Sequence, residues 1–126
     1  MHRSRLGGFI IDCQGIDPGG AAAFWGAALG MRIEPLPGVE GRRYAQLFGP
    51  DANLHVEVQT VEHPSRVHLD IESDDVEAEV RRLEALGAKR LQQVHSWWVM
   101  EAPTGQRFCV VRSSAPDFAR LATEWR

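Results

Sequence analysis

Two short runs hold the side chains most able to do chemistry. In one, His68, Asp70 and Glu72 alternate with Val67, Leu69 and Ile71. In the other, His55, Glu57 and Gln59 alternate with Leu54, Val56 and Val58. A two-residue period puts each polar set on one face of a strand and the apolar set on the other, against a core. Histidine titrates near neutrality, so His68 beside Asp70 or Glu57 is equipped as a general base, a metal ligand or a hydrogen-bonding group for a ligand. The plainer alternative is a histidine satisfied by polar groups of a neighbouring strand. Burying a lone carboxylate is costly, so Glu57 between His55 and Gln59 points to a wet, polar pocket, with an exposed sheet edge as the competing explanation.

Other residues offer walls rather than reactive groups. Only one parity of Ser96 to Glu101 can face a pocket: Trp98 with Met100, or Trp97 with Val99 and Glu101. Flat apolar surface suits a planar ligand, and Trp98 with Met100 is the set assigned to it, one tryptophan of the pair being structural. Phe24 and Trp25 read as core. Arg42 and Arg43 lie in a loop with Pro37, Gly38 and Gly41, where a solvated face is the safer reading. Cys109 has no base or electropositive neighbour in the sequence, so it reads as a buried thiol, as does Cys13.

The elements that must position these groups follow the chain in order. Arg66 to Gly87 begins as a strand and becomes a helix. Ser73, Asp74 and Asp75 offer caps, Glu77 and Glu79 suit the first turns through the helix dipole, and Glu77, Glu79, Arg81, Arg82 and Glu84 read as a solvent face with pairs such as Glu77 and Arg81. Val76, Val80, Leu83 and Leu86 make the apolar stripe, and Gly87 suits a left-handed stop. Upstream, Phe9 to Gln14 is a strand and Asp17-Pro18 starts a helix with Phe24, Trp25, Ala28 and Leu29 on a wide apolar face. Gly30 ends it. Extended runs follow at Met31 to Pro35, Tyr44 to Phe48 and Leu54 to Val61, with a turn at Gly49 to Asn53. Downstream come strands at Lys89 to Val94, Ser96 to Glu101 and Phe108 to Arg112. Ser114 and Pro116 then start a last helix with Phe118, Leu121, Ala122 and Trp125 on one face.

That order is written twice. Ala28-Leu29-Gly30-Met31 is echoed by Ala85-Leu86-Gly87-Ala88 at a shift of 57 residues, and the same shift carries Ile10 to Val67. An internal duplication is the reading.

The duplicated strand-helix-strand-strand-strand order, FWGAALG after the first strand, VHLDIESDD before the second helix and APTGQRFCVV near the end resemble the vicinal oxygen chelate superfamily. Within it the chain is similar to glyoxalase-like domain proteins of the glyoxalase/bleomycin resistance type, from about Leu6 to Arg112. The resemblance implies an α+β fold. Two βαβββ modules, about 6–62 and 66–112, form one domain over 1–126 with an eight-stranded, mixed, cup-shaped sheet, outer helices and a C-terminal helix at about 114–125. It implies a small-molecule cleft and, in the metal enzymes, ligands near the start of the first strand and the end of the last strand of each module. Carried over, His68 falls on the ligand position of the second module and Cys109 falls where those enzymes usually have glutamate. In the first module the positions fall on Ile10, or Ile11, and on a strand that offers Glu57, with Val56 the strict match if the turn has no insertion. His68 and Glu57 are therefore the metal candidates of an incomplete set, His55 or Asp70 supplement them, and the cofactor is left open. The same pair is the catalytic candidate for a lyase or isomerase acting by proton transfer, with His55, Gln59, Asp70, Trp98 and Met100 as ligand contacts. The alternative is a metal-free protein that captures a drug or metabolite. A homodimer is implied by the same resemblance.

Composition sets the outer bounds. The chain has 126 residues and a formal charge of −3, which gives no case for nucleic acid or an anionic membrane as partner. No apolar run nears the roughly 20 residues of a membrane helix. The basic start MHRSRLGG is followed by an apolar run that Asp12 interrupts, so no signal peptide is read and a cytoplasmic location is expected.

Overall fold

The computed structural model describes residues 1–49, 54–113 and 116–126. Two compact units share the chain: Gly8–Val67, and Met1–Gly7 with His68–Arg126. Each contains the expected βαβββ order, in an α+β fold with mixed strand pairing.

The first unit takes most of β1 (His2–Gln14), then α1 (Pro18–Leu29), β2 (Arg32–Pro35), β3 (Tyr44–Phe48) and β4 (His55–Val61), with a 3-10 turn at Gly38–Arg42. The strands lie in the order β2-β3-β4-β1. β1 and β4 run parallel, with Ile10 opposite Glu57. β3 is antiparallel to β4, with Gln46 opposite Glu57. The Asp17 side chain caps α1 by accepting from the Gly20 N–H at 2.9 Å, and Gly30 stops it at φ 66. The helix buries only part of the face expected of it: Trp25 packs against the core, but Leu29 is exposed. Phe24 is exposed, and Ala21, Ala22 and Gly26 are buried instead. Small residues let the helix lie close to the strands: a Cβ at Gly26 would stand 3.0 Å from Ile33 Cγ1. The core beneath it is Cys13, Ala21, Ala22, Ala45, Leu47 and Val58.

The second unit contains β5 (Arg66–Ser73), α2 (Val76–Ala85), β6 (Lys89–Val94), β7 (Trp97–Glu101) and β8 (Arg107–Arg112). Its strand order is β5-β8-β7-β6, with β5 parallel to β8. Asp75 caps α2 by accepting from the Ala78 N–H at 3.0 Å. Val80, Leu83, Met100, Phe108 and Val110 form the core, with Trp98 packed against it.

Both ends of the chain depart from expectation. β1 starts at His2 rather than Phe9, because polar bonds rather than apolar burial hold its first residues. Glu79, read as a solvent-facing helix residue, is fully buried beneath them. Its carboxylate meets His2 Nε2 at 2.8 Å and both Arg82 Nε and Nη2, at 2.7 and 2.8 Å. The last helix is a single turn, α3 (Phe118–Leu121), and a ninth strand, β9 (Thr123–Trp125), then pairs antiparallel with His2–Ser4. Trp125 caps this corner: Nε1 donates to Ser4 Oγ at 2.8 Å, and the Arg82 guanidinium lies 3.8 Å from its ring centre. The turn expected at Gly49 to Asn53 lies, from Pro50 on, outside the described residues, as does Ser114 at the expected start of the last helix.

Candidate functional site

In the second unit the face of β5 turned away from α2 carries His68, Asp70 and Glu72, as the alternation demands. Register fixes what stands beside them. Asp70 pairs with Cys109 on β8, and Cys109 pairs with Val99 on β7. Ladder partners share a face, so Cys109 and Val99 border the polar row of β5. One ligating atom from each of His68, Asp70 and Cys109 lies within 4.8 Å of the others. His68 Nε2 stands 3.7 Å from Asp70 Oδ1, with both side chains largely withdrawn from solvent. One step along β5, Glu72 is buried with Arg5, whose Nε is 3.5 Å from Glu72 Oε1. Gly7 makes room for that pair, since a Cβ there would come within 3.2 Å of Glu72 Cγ.

The same register corrects the expected ligand wall. Trp98 pairs with Val110 and Met100 with Phe108, and both partners belong to the α2 core. Met100 is fully buried there. The opposite parity, Trp97 and Val99, takes the face that carries Cys109. The preference for Trp98 and Met100 failed because both parities are apolar, and only the pairing with β8 distinguishes them.

In the first unit the polar face of β4 is internally wired. Gln46 Nε2 lies 3.0 Å from His55 Nδ1, and His55 Nε2 lies 3.0 Å from Glu57 Oε1. An amide nitrogen only donates, so His55 Nδ1 accepts and Nε2–H donates to the Glu57 carboxylate. Gln59 Nε2 donates to the Tyr44 hydroxyl at 3.1 Å. The structure thus groups Glu57 with His55 and Gln46, and groups His68 with Asp70 and Cys109. Elsewhere in this unit an open cavity of about 330 Å³ is lined by Ile11, Cys13, Trp25 and Val67 with Asp12 and Arg66. Its Cys13 thiol is pushed up by burial and then by the nearby Asp12 charge, which makes it a poor nucleophile.

The metal set implied by the resemblance can be tested on these residues. Ile10 and Ile11 offer no donor at the first-module strand position, and Cys109 replaces a carboxylate at the last. The four-ligand arrangement does not fit this chain. Cys109 was the residue the sequence reading undervalued. Its place on the last strand already matched a ligand position by resemblance; its pairing with the strand bearing His68 and Asp70 is what the sequence left out of view.

A protein-family model described as glyoxalase-like domain matches residues 8–111. No curated protein matches the sequence. Among solved structures the chain is similar to methylmalonyl-CoA epimerase from Mycobacterium tuberculosis, at 16% identity and TM-score 0.62, covering 91% of this chain and 93% of that one. Methylmalonyl-CoA epimerase from Streptomyces coelicolor, solved in complex with 2-nitronate-propionyl-CoA, gives 14% identity and TM-score 0.56, covering 88% and 95%. A glyoxalase/bleomycin resistance protein/dioxygenase superfamily member from Vibrio splendidus gives 16% identity and TM-score 0.53, covering 90% and 100%. At these identities the likeness is one of fold. Among the described residues no helix is long and apolar enough to cross a membrane.

Proposed function

The chain belongs to the glyoxalase-like domain family, within the vicinal oxygen chelate superfamily, and on that premise we propose that it binds a small carbonyl compound and moves a proton on it through His68. The observation that supports this is the placing of His68 Nε2 at 3.7 Å from Asp70 Oδ1 on a largely buried strand face. In this reading the neutral imidazole takes the acidic hydrogen from the carbon next to the carbonyl. The electron pair left on carbon spreads into the carbonyl. The Asp70 carboxylate stabilises the imidazolium that forms. Returning the proton to that carbon gives an isomerase, and expelling a group from the neighbouring carbon gives a lyase. Glu57, with Oε1 on His55, is the candidate of the first unit for a second proton-handling group.

The epimerase likeness suggests the first compounds to try, branched acyl thioesters with an acidic α C–H. Deuterium uptake from heavy water, followed by proton NMR over a panel of such thioesters and of hydroxyketones, is the test. Exchange should fall by roughly 100-fold in His68→Gln and less in Asp70→Asn, in line with the usual worth of a positioned base. Glu57→Gln reads whether that carboxylate shares the reaction. Exchange that survives intact in His68→Gln would sink the proposal.

One observation favours a second reading, capture without chemistry. Both ring nitrogens of His55 are engaged, by Gln46 and Glu57, which suits a fixed recognition surface better than a reactive one. Panel compounds that quench tryptophan fluorescence yet show no exchange would favour it. The resemblance also implies a homodimer and cytoplasmic residence, which sedimentation and cell fractionation would read.

A further inference from the structure

We propose that Arg107 anchors an oxyanion of the ligand, a carboxylate or a phosphate, and that the second unit takes an anionic carbonyl compound with an aryl or alkyl body. This names a substrate class for the proton transfer given to His68 above and rests on that reading; the preference for an anion stands without it.

Strand register carries the placement. Leu69 pairs with Phe108, so Arg107, one residue earlier on β8, stands level with His68 on β5. Phe108 and Val110 enter the α2 core, which turns Arg107, Cys109 and Val111 to the opposite face, the one that carries His68 and Asp70. Arg107 pairs with Glu101 on β7, and Glu101 with Lys89 on β6. Lys89 shares this face because Arg90, beside it, reaches back to Glu77 and Glu84 of α2. One row across four strands therefore runs His68, Arg107, Glu101, Lys89. Two residues further along β8 and β7 come Cys109 and Val99, and two further Val111 and Trp97. On these two strands the face is charged at one end and apolar at the other. The acidic groups beside them on β5 are already engaged, Asp70 near His68 and Glu72 near Arg5.

The charges select the ligand. A guanidinium is always charged and offers a planar pair of donors that match a carboxylate or a phosphate. Among the described residues no hydrogen bond or ion pair occupies the Arg107 side chain, which is exposed. Arg5, Arg82 and Arg90 of the same unit are each committed to a carboxylate. Glu101 offsets one of the two cations beside it, Lys89 and Arg107, and leaves the three with one net positive charge. Neighbouring strands lie about 4.8 Å apart, so an anion gripped by Arg107 keeps the carbonyl of the same small molecule beside His68. The body of that molecule then runs over Val99 toward Val111 and the flat surface of Trp97. All of these residues belong to one compact unit.

Ligand-detected proton NMR titration of the full chain tests the anchor, with benzoylpropionate, its neutral methyl ester and phenacyl phosphate as probes. At least one anion should bind more tightly than the ester by roughly 10-fold, and which of the two does so separates carboxylate from phosphate. Arg107→Gln should erase that preference and Arg107→Lys should restore part of it. The Arg107 side chain is exposed, so the unfolding midpoint of both variants should match wild type. Arg112→Gln, at the far end of β8 and on the opposite face, should leave the preference unchanged. Failure of both anions to bind, an ester that binds as well as they do, or an equal loss in Arg107→Gln and Arg112→Gln would overturn the anchor. Deuterium uptake next to the ketone then separates the two ideas. Uptake that favours the anion, and that disappears in His68→Gln while the anion preference in binding remains, supports both. An anion preference with no uptake in wild type keeps the anchor and removes the proton-transfer reading. Uptake at equal rates in anion and ester overturns Arg107 as a positioning group for substrate.

Discussion

Replacing Glu79 by glutamine should be the most destabilising change of a single charge that conserves side-chain size. The carboxylate is fully buried on α2. It accepts from His2 Nε2 at 2.8 Å, Arg82 Nε at 2.7 Å and Arg82 Nη2 at 2.8 Å. Burial alone would raise this carboxyl, but the bonds from Arg82, His2 and Ser4 outweigh it and hold the group below its ordinary value of 4.5. Glutamine keeps the size, removes the charge and turns an amide donor toward donors. A hydrogen bond to a charged group contributes about 1.5–3 kcal/mol, and water reaching the partly exposed Arg82 returns some of the loss. A net cost of about 3 kcal/mol follows, at the lower end for breaking a buried ion pair. Urea unfolding followed by tryptophan fluorescence would measure it. The pH dependence gives a second reading. The folded carboxyl lies below its unfolded value, so its contribution is complete above about pH 4.5 and is lost as pH falls through the folded value. The stability gap between wild type and Glu79→Gln should therefore narrow on acidification below about pH 4.5. A cost under about 1 kcal/mol, or a gap that stays constant down to pH 3, would refute the reasoning.

Three further outcomes are expected. Met100→Ala should cost about 2–5 kcal/mol in urea unfolding, since Met100 is fully buried in the α2 core; a near-neutral result would put it back on the ligand side. The Glu77 carboxyl should titrate by carbon NMR at about 2, because the bond from Arg90, helped by Arg81, outweighs the opposing effect of desolvation, and Arg90→Ala should move it up toward 4.5. Any stability it adds is present above its ordinary value and lost only in strong acid, as pH falls through about 2. Gly8→Ala should disrupt the first unit, as its Cβ would collide with the His55 carbonyl where β1 and β4 pair; a soluble variant with an unchanged unfolding midpoint would contradict the register.

Local signals in the sequence were read well and distant pairings were not. Asp17, Gly30, Asp75 and Gly87 mark the helix ends because caps depend on residues within one turn. The alternation around His68 and His55 gave the correct polar faces, since period two is a property of the strand itself. What failed depended on contacts made far along the chain. Nothing near Glu79 shows that its partner is His2, 77 positions away, so an acidic residue in a helix looked like surface. Trp98 and Met100 were misassigned because parity is decided by β8, not by β7. Cys109 looked inert until the parallel pairing of β5 with β8 put it opposite Asp70.

The pairing of β9 with the start of β1 has a consequence for the order in which the chain folds. Trp125 and Glu124 bond to Ser4 and Arg3 across a separation of 121 residues. Closing so long a loop is entropically expensive and comes after shorter-range structure has formed. Until then the edge of β1 at His2–Ser4 is bare, and bare edges recruit other chains. Deleting residues 123–126 should appear first as self-association through that edge rather than as unfolding.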